Sequence, residues 1–351
     1  MYDYYIIGGG PAGVATAYYL TRYGFKVKLV EGRKAVGEKP CGGGVPPSLQ
    51  EYLPIPKDSI FNSIKSMKIS YEFEELGSWS PGTTLFYMID RRKYLEEYLP
   101  SFDHELGKFA KVTTNGAIID GEKIEAEKVI VATGALWRFK ERKMVANTVQ
   151  YVIEGVRVED STEIEFIFFH DLIGYAWIFP YSERTVKVGI GGLNKNVNEL
   201  ENMLKLVVEK KGFDEGRIVK REGAPIDMGG IKAEWASETP YAVGEAIGAV
   251  MPLTGEGIRP SIMTAKVLAQ ALSNDKYKYD ELLRKLPIFK PSGQQRKILI
   301  ELMNRGHVPS PGKLSPKAIS LIYKFGLGEA KLKDFLTVLP SSFSIIKLLF
   351  K

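Results

Sequence analysis

Three glycines near the start of the chain have the spacing of a phosphate-binding turn. Gly8, Gly10 and Gly13 follow an apolar, β-prone run and precede a helical pattern. The first permits a tight turn, the second close approach of a pyrophosphate, and the third packing of the helix against the strand. Glu31 ends the next predicted strand, where a carboxylate accepts hydrogen bonds from ribose hydroxyls and repels a 2′-phosphate. The pattern predicts a dinucleotide site for FAD or NAD and argues against NADP.

A loop predicted over residues 32–47 contains the single cysteine of the chain, Cys41. The glycines and prolines of this loop exclude helix and strand, and its glycine run can bring bare backbone against a flat ligand. One cysteine excludes intrachain disulfides and all-cysteine metal sites. Arg33 either neutralises a phosphate or is simply solvated. On this pattern alone, Cys41 is a small structural residue in a glycine loop.

Three aromatic residues alternate along a predicted strand. Tyr175, Trp177 and Phe179 share one face of that strand, because successive side chains point to opposite sides. The pattern alone favours an aromatic core stripe.

A second glycine-rich segment lies late in the chain. Gly244-Glu245 follows a short predicted strand, and Gly255 and Gly257 precede a helix predicted from Ile258. Two separated glycine turns suit one long cofactor better than a lone nucleotide turn does, so FAD is favoured over NAD. Gly189–Gly192 is predicted as a turn off a sheet, because no helix begins directly after it. Without a second nucleotide-binding turn, we expect electrons from ferredoxin or from transiently docked NAD(P)H.

The elements that must position these residues predict an α/β protein, α+β overall. We expect a Rossmann-like FAD-binding domain over 1–147, including strands at 60–90 that belong either to it or to the substrate domain. A substrate domain with a mixed antiparallel sheet follows over 148–238. Residues 239–272 return to the FAD-binding domain, and 273–351 form a helical, basic C-terminal region.

Two shorter stretches give specific strand predictions. Ser63–Tyr71 alternates and is predicted as one strand. Residues 108–127 contain two hairpin-type turns, Asn115-Gly116 and Asp120-Gly121. The apolar run Lys128–Thr133 is predicted as a buried parallel strand that lies beside the first strand of the chain.

Composition excludes several classes of protein. The chain has 351 residues and a formal net charge of +6, and its apolar runs are shorter than the 18 or so residues of a membrane span. Strand one starts almost at once, so we expect a cytoplasmic protein without a targeting segment. Residues 276–351 carry 15 Lys and Arg against 5 Asp and Glu. This region is either a solvated helical cap or a peripheral membrane contact, and no nucleic-acid module is recognisable.

Motifs in this order resemble the FAD-dependent monooxygenases and reductases built like p-hydroxybenzoate hydroxylase. They are the opening glycine turn with Glu31, Asp90-Arg91, Val129–Gly134, and Gly244-Glu245 with Pro252–Ile258. Within that superfamily, Lys39–Gly44 and Tyr175–Pro180 are similar to the geranylgeranyl reductase family, which saturates prenyl chains of archaeal lipids and related isoprenoids. The resemblance extends over about residues 3–272. It implies that the aromatic strand forms the wall of an apolar channel rather than a core stripe, where the rings would exclude water and stabilise an electron-deficient carbon through their faces.

The resemblance implies a set of site residues. The FAD contacts it implies are Gly8, Gly10, Ala12, Gly13, Glu31, Arg33, Cys41, Gly42, Gly43, Gly44, Arg91, Val112, Gly134, Gly244, Glu245, Gly255, Gly257 and Ile258. The substrate contacts it implies are Tyr175, Trp177, Phe179 and Pro180. Position 245 departs from the family pattern, which has Asp there, because Glu is one methylene longer.

The implied activity is hydrogenation of prenyl double bonds, with hydride from N5 of reduced FAD and Cys41 as the matched catalytic residue. Two rivals stay open. One is a flavin monooxygenase or halogenase acting on an aromatic substrate, and the other is a flavin-bearing electron-relay protein. A metal site is not expected, because His104, His170 and His307 lack the spacing of metal ligands.

Overall fold

The computed structural model describes residues 1–236 and 238–336. Within these residues the strands are β1 (Tyr4–Ile7), β2 (Val27–Glu31), β3 (Gly44–Val45), β4 (Ile60–Ile64), β5 (Ser66–Tyr71), β6 (Glu74–Trp79), β7 (Phe86–Ile89), β8 (Asp103–Leu106), β9 (Ala110–Thr113), β10 (Gly116–Ile119), β11 (Glu122–Glu125), β12 (Val129–Val131), β13 (Val145–Glu154), β14 (Glu163–Phe168), β15 (Gly174–Ser182), β16 (Thr185–Gly192), β17 (Arg217–Glu222), β18 (Ile226–Asp227) and β19 (Tyr241–Ala242). The helices are α1 (Pro11–Arg22), α2 (Arg91–Glu96), α3 (Val197–Lys210), α4 (Ile258–Ser273), α5 (Tyr279–Lys285), α6 (Phe289–Arg305), α7 (Pro316–Gly326) and α8 (Leu332–Leu336).

A five-stranded parallel sheet holds the start of the chain, in the order β19-β12-β1-β2-β8. The predicted pairing of the Lys128–Thr133 run with the first strand is confirmed, since Ile6 lies opposite Ile130. Every residue of β12 is buried, as expected for a parallel strand covered on both faces. Helices α1 and α4 pack against each other beside this sheet. The topology is that of a nucleotide-binding α/β fold, with its ligand edge at the carboxyl ends of the strands.

A larger mixed sheet has the order β17-β13-β16-β15-β14-β5-β6. The predicted antiparallel pairing of the strands after residue 145 is confirmed, and β14 pairs parallel with β5. The prediction of one strand over Ser63–Tyr71 is wrong. The strand is interrupted at Lys65, whose backbone N–H donates to Thr162 O. Consequently β4 pairs with β7 in a separate three-stranded sheet, and only β5 joins the large one.

The two faces of the large sheet have different partners. On one face, apolar side chains such as Ile178 and Val188 pack beneath α3. The opposite face carries Phe166 and Phe179, and α7 covers its outer end. The predicted helical C-terminal region is confirmed over the described residues, and the rest of that prediction, residues 337–351, lies outside them. Among the helices described, none is long and apolar enough to cross a bilayer.

A buried ion cluster joins β18 to the chain around it. Asp227 is 1% exposed and binds the guanidinium of Arg142, the Nζ of Lys232 at 2.8 Å and the N–H of Gly229 at 2.9 Å. Arg142 also donates to Ala246 O at 3.0 Å, in the turn that follows Gly244. Burial lowers the pKa of Lys232, and the nearby Asp227 opposes this change. The cluster therefore depends on one carboxylate that compensates two cations.

Replacing Asp227 by Ala would leave Arg142 and Lys232 without their shared carboxylate. We expect Asp227→Ala to lower the free energy of unfolding by about 3–5 kcal/mol, because a buried charge loses its partner. Urea unfolding followed by tryptophan fluorescence measures the loss. Asp171→Ala is the matched control, since Asp171 is 65% exposed in its pair with Lys195, and we expect a loss below about 1 kcal/mol. Equal losses in both variants would contradict a structural role for the buried cluster.

Candidate functional site

The opening glycine turn is built by close backbone contacts. A Cβ on Gly13 would lie 1.8 Å from Gly8 O, so only glycine lets α1 pack this closely against the end of β1. Gly10 caps α1 without a side-chain hydrogen bond, and Pro11 occupies the first helical turn. A Cβ on Gly10 would meet no atom within 4 Å. Open space therefore lies in front of the helix N-terminus, where backbone N–H groups and the helix dipole favour an anion.

Glu31 lies at the tip of β2, beside this turn. Its carboxylate accepts hydrogen bonds from Gly9 N at 2.5 Å and Arg33 N at 2.7 Å. These bonds fix the carboxylate at the edge of the open space, and each oxygen keeps a lone pair for a further donor such as a hydroxyl. Arg33 thus contributes its backbone to the turn.

The second glycine turn lies against the first in the folded chain. A Cβ on Gly244 would lie 2.4 Å from Ala12 Cβ, so this turn rests directly on the first turn of α1. Gly244 N donates to Thr264 Oγ1 at 3.1 Å, which ties the turn to α4. The structure therefore places the two glycine segments, more than 200 residues apart, side by side at the edge of the parallel sheet.

Glu245 makes contacts of its own within the chain. Its Oε2 accepts from Lys39 Nζ at 2.6 Å, and its Oε1 accepts from Asp227 N at 3.2 Å. A Cβ on Gly134 would lie 3.1 Å from Glu245 Oε2, so the end of β12 borders the same carboxylate. The longer side chain at this position is thus used to join the cysteine loop, through Lys39, to the second glycine turn.

The segment Pro252–Ile258 forms a bend before α4. Tyr175 reaches it from β15, with its hydroxyl donating to Thr254 O. Glu256 is buried against Arg259, with Oε1 2.8 Å from Nε, and burial raises the pKa of Glu256 while Arg259 opposes this rise. A Cβ on Gly255 would make ordinary van der Waals contact with Ile226, Tyr175 and Met228, at 3.9 to 4.0 Å.

The cysteine loop lies against the aromatic strand. A Cβ on Gly42 would come within 2.8 Å of the Phe179 ring and 3.8 Å of Trp177 Nε1. Gly43 has a positive φ of 83° and donates its N–H to Cys41 Sγ at 3.4 Å. Gly44 begins β3, beside the same Phe179 ring.

The aromatic side chains line one side of the large sheet. Tyr175, Trp177 and Phe179 extend from the Pro252–Ile258 bend to the cysteine loop, and Phe166 meets Tyr175 and Phe179 edge to face. Burial raises the pKa of Tyr175. The result is a continuous apolar wall with a glycine segment at each end.

The glycines of β16 make room for this wall. A Cβ on Gly189 would lie 2.2 Å from the Trp177 ring, so the indole packs flat over β16 only because no side chain is present there. The prediction that Gly189–Gly192 is a turn off a sheet is therefore wrong. These residues lie inside β16. The lack of a directly following helix argued correctly against a phosphate-binding turn at Gly189–Gly192. A strand that contains several glycines has the same sequence pattern as the predicted turn.

Three predicted residues lie apart from the aromatic wall. The Pro180 side chain faces away from the three aromatic side chains, because neighbours on a strand alternate, and its role as a substrate contact stays a prediction. Arg91 donates from Nε and Nη2 to Gly37 O, at 3.0 and 2.7 Å, and so holds the loop that carries Cys41. Val112 lies on β9, which pairs with β10 in a small sheet. The chain enters this sheet just after Lys108, whose N–H donates to Glu31 O.

These residues fit an FAD. The opening turn offers an uncapped helix N-terminus with open space at Gly10, and the second glycine turn lies against it. The Pro252–Ile258 bend follows, where Tyr175 of the aromatic wall donates to Thr254 O. An extended cofactor with a pyrophosphate in its middle and a flat ring at one end matches this arrangement of two adjoining glycine turns and an aromatic wall better than a single nucleotide does.

Comparison with known proteins agrees with this arrangement. A family model described as "Pyridine nucleotide-disulphide oxidoreductase" matches residues 2–165. A digeranylgeranylglycerophospholipid reductase of Thermoplasma acidophilum is 26% identical over 81% of this chain and 83% of its own length. A geranylgeranyl diphosphate reductase of Rhodobacter capsulatus is 27% identical over 73% of this chain and 71% of its own length.

Two solved structures show the same fold. A geranylgeranyl bacteriochlorophyll reductase-like protein of Thermoplasma acidophilum superposes with a TM-score of 0.79 at 22% identity, covering 99% of this chain and 98% of that one. A flavin-dependent brominase superposes with a TM-score of 0.68 at 12% identity, covering 93% of each chain.

The fold, the adjoining glycine turns and the matched family model define an FAD-dependent oxidoreductase. The predicted fold class and the predicted cofactor are confirmed. The predicted resemblance to the geranylgeranyl reductase family is confirmed as well, by relatives that align over most of the chain.

The sequence patterns did not identify the polar residues beside the cysteine loop. Lys187 Nζ and Gln150 Nε2 both donate to Cys41 O, at 2.7 and 3.2 Å. Each lies on a strand among apolar residues, which is the available signal, because a charged or amide side chain on a buried strand needs a partner. That partner comes from a loop more than 100 residues earlier, so the sequence alone does not name it.

A methyl group on Gly10 tests whether the open space holds the cofactor. Gly10 has a φ of −79° and a Cβ there has room, so Gly10→Ala keeps its fold. We expect its affinity for FAD to fall by about 10- to 100-fold, or about 1.4–2.8 kcal/mol, because the methyl occupies the space of the pyrophosphate. Quenching of FAD fluorescence on titration with apoprotein measures the affinity.

Gly293→Ala serves as the control for this change. A Cβ on Gly293, in α6, also meets no atom within 4 Å, but the residue lies outside the glycine turns. We expect FAD affinity to stay within about twofold of the unsubstituted protein, a difference of about 0.4 kcal/mol. If Gly10→Ala binds FAD as well as Gly293→Ala does, the space in front of α1 is not the pyrophosphate site.

Proposed function

We propose that this chain is an FAD-dependent reductase that saturates carbon–carbon double bonds of a geranylgeranyl or longer polyprenyl chain. The observation that carries the proposal is the aromatic wall of β15 and β14, which lies between the Pro252–Ile258 bend and the cysteine loop. An isoprenoid is a long hydrocarbon with regularly spaced alkenes, and an apolar wall binds such a chain through surface burial alone. The names of the aligned relatives support the same substrate class.

The protein residues divide the task between binding and protonation. When bound, a reduced flavin supplies the hydride. The other hydrogen arrives as a proton, for which Cys41 is the proposed donor: the S–H bond breaks, a C–H bond forms, and solvent later returns a proton to the sulfur. The rings of Trp177 and Phe179 exclude water and face positive charge that develops on the alkene carbon. Tyr175 holds the wall to the glycine bend through Thr254 O.

An external donor supplies the electrons in this proposal. Within the described residues, the other glycine-rich run lies inside β16 and forms no phosphate-binding turn. We therefore propose ferredoxin or a transiently docked NAD(P)H as the donor, since either delivers electrons without a second nucleotide-binding domain.

We propose that the basic C-terminal region makes a peripheral contact with the cytoplasmic face of a membrane. Arg296, Lys297, Ile300 and Met303 are exposed on α6, and Leu332 is 76% exposed on α8. Basic side chains beside apolar ones are the combination that binds an anionic lipid surface. The proposed substrate is a membrane lipid or its precursor, so this contact would bring the protein to its source.

Anaerobic reoxidation tests the proposed activity. Protein reduced with a stoichiometric amount of dithionite is mixed with a geranylgeranyl lipid, and we expect the absorbance of oxidised flavin to return as the lipid gains two hydrogens per double bond. Absorbance and mass spectrometry measure the two changes. Replacing dithionite with reduced ferredoxin or with NADPH identifies the donor. A reduced protein that no prenyl compound reoxidises would exclude the reductase, and a hydroxylated or halogenated product under oxygen would establish the monooxygenase or halogenase instead.

Two tryptophan variants link this reaction to the aromatic wall. We expect Trp177→Leu to lower kcat/KM for the lipid by about 10- to 100-fold, because ring contacts worth about 1–2 kcal/mol are lost together with surface burial. Trp79→Leu is the control, since Trp79 contacts Tyr323 at the far end of the same sheet. Equal effects of both substitutions would show that the wall acts only through the stability of the sheet.

Vesicle binding tests the membrane contact. We expect the protein to sediment with phosphatidylglycerol vesicles at low salt and to be released as salt screens the charges. Reversing two charges, Arg296→Glu with Lys297→Glu, should weaken binding at least about 10-fold, because each basic residue near the surface contributes about 1 kcal/mol. Lys205→Glu, an exposed change on α3, is the control. Equal binding to phosphatidylcholine vesicles would contradict the proposed contact.

A further inference from the structure

Three polar side chains of the large sheet hold the backbone of the cysteine loop. Lys187 Nζ and Gln150 Nε2 donate to Cys41 O, and Glu222 Oε1 accepts from the same Gln150 nitrogen at 2.6 Å. Glu222 Oε1 also lies 4.0 Å from Lys187 Nζ. The side chains of Lys187 and Glu222 are only 13% and 10% exposed. We refer to Lys187, Gln150 and Glu222 as the carbonyl clamp.

The carbonyl clamp lies on the same sheet face as the aromatic wall. Lys187 is directly opposite Phe179 in the pairing of β15 with β16, and Gln150 is opposite Gly189 in the pairing of β13 with β16. Directly opposed residues of an antiparallel pair point to one side. The face is therefore apolar over β14 and β15, and it is polar at the corner formed by β16, β13 and β17. The cysteine loop lies where the apolar and polar parts of this face meet.

Tyr181 adds a second tether to the loop. Its hydroxyl donates to Gly42 O at 2.8 Å, and Lys187 Nζ lies 4.9 Å from the centre of its ring. Both carbonyls of the Cys41-Gly42 segment are thus bound by the sheet. These bonds fix the backbone that carries the Cys41 side chain.

Two buried polar atoms beside the loop have no hydrogen-bond partner among the described residues, Trp177 Nε1 and Gln150 Oε1. A Cβ on Gly42 would lie 3.8 Å from Trp177 Nε1, so this donor faces the loop. Buried polar groups are almost always hydrogen-bonded, and an exception marks a place where ligand atoms or ordered water enter. The clamp therefore borders the space that the reaction uses.

Building on the proposed reductase function, we propose that Lys187 is a positioning residue for the reaction. As an ammonium it holds the Cys41-Gly42 peptide against the aromatic wall, and loss of its proton weakens this hold. A charged donor makes a hydrogen bond roughly twice as strong as a neutral one, so the amine form holds the same oxygen weakly.

The charged and titratable groups around Lys187 decide the direction of the pH dependence. Burial lowers the pKa of Lys187; Cys41 and Glu222 oppose this change, whereas Lys220 and Arg91 add to it. Tyr181 faces the same ammonium from β15, and burial raises the pKa of its hydroxyl. The clamp is therefore complete at pH values below the lowered pKa of Lys187. It weakens as the pH rises through that value, which lies below that of an ordinary lysine.

Hydrogen exchange of the FAD-loaded protein tests the clamp without requiring turnover. At one fixed pH, we expect Lys187→Met to raise the exchange rate of backbone amides in peptides covering residues 39–45 by about 10-fold, as one charge-assisted bond is lost. Lys187→Arg should stay within about twofold of the unsubstituted protein, because Arg keeps the charge and the donors. Lys205→Met, the same charge change at an exposed position on α3, should have no effect on this segment.

The pH profile of anaerobic lipid reduction supplies the second readout. We expect an alkaline decline below the ordinary lysine pKa of about 10.4 in the unsubstituted protein, and its displacement to higher pH in Lys187→Arg. An unchanged exchange rate in Lys187→Met, or an unmoved alkaline decline in Lys187→Arg, overturns the proposal. If Lys187→Met does not fold, Gln150→Leu removes the other donor and should raise exchange about threefold; an unchanged rate also overturns it. Faster exchange in a protein that reduces no prenyl lipid would sustain the clamp and reject only the proposed substrate.

Discussion

Close backbone approach at glycine is the constraint on which the rest of this structure depends. Gly13 lies against Gly8 O, and Gly244 lies against Ala12, at distances that leave no room for a Cβ. The first contact sets α1 on β1 and exposes its N-terminus, and the second brings a distant turn onto that N-terminus. A larger residue at either position would separate the helix from the sheet or the turns from each other, and the arrangement of turns that fits an FAD would be lost.

The large sheet is connected to this nucleotide-binding edge by polar contacts that cross between the two sheets. Lys39 binds Glu245 from the cysteine loop, and Arg142 binds Ala246 O while it pairs with Asp227 on β18. Partly or fully buried charges of this kind are costly to separate, so they fix the loop and the sheet in one relative position. Glu in place of Asp at position 245 is consistent with that use, since the longer side chain spans to Lys39 while its backbone keeps the glycine turn.

The sequence predicts what is encoded locally and misses what depends on register. The glycine turn with Glu31 and the strand that returns beside β1 follow from spacing and hydrophobicity, because each is decided within about thirty residues. From the sequence alone, Gly189 is predicted to lie in a turn. Its role in receiving the Trp177 ring emerges only from the pairing of β15 with β16. Lys187 is missed for the same reason, since neither its facing Phe179 nor its bond to Cys41 O is visible in a one-dimensional pattern.

The division of one sheet face into an apolar wall and a polar corner accounts for how this fold could serve the proposed hydrocarbon substrate. A flavin-dependent brominase has the same fold at 12% identity, so the fold by itself does not determine the reaction. The proposed reaction needs a dry surface along the hydrocarbon chain and a proton at one point. Alternation along β15 gives the dry surface, and the neighbouring strands bring Lys187 and Gln150 to its edge. The cysteine loop, bound at both carbonyls, lies where these two requirements meet.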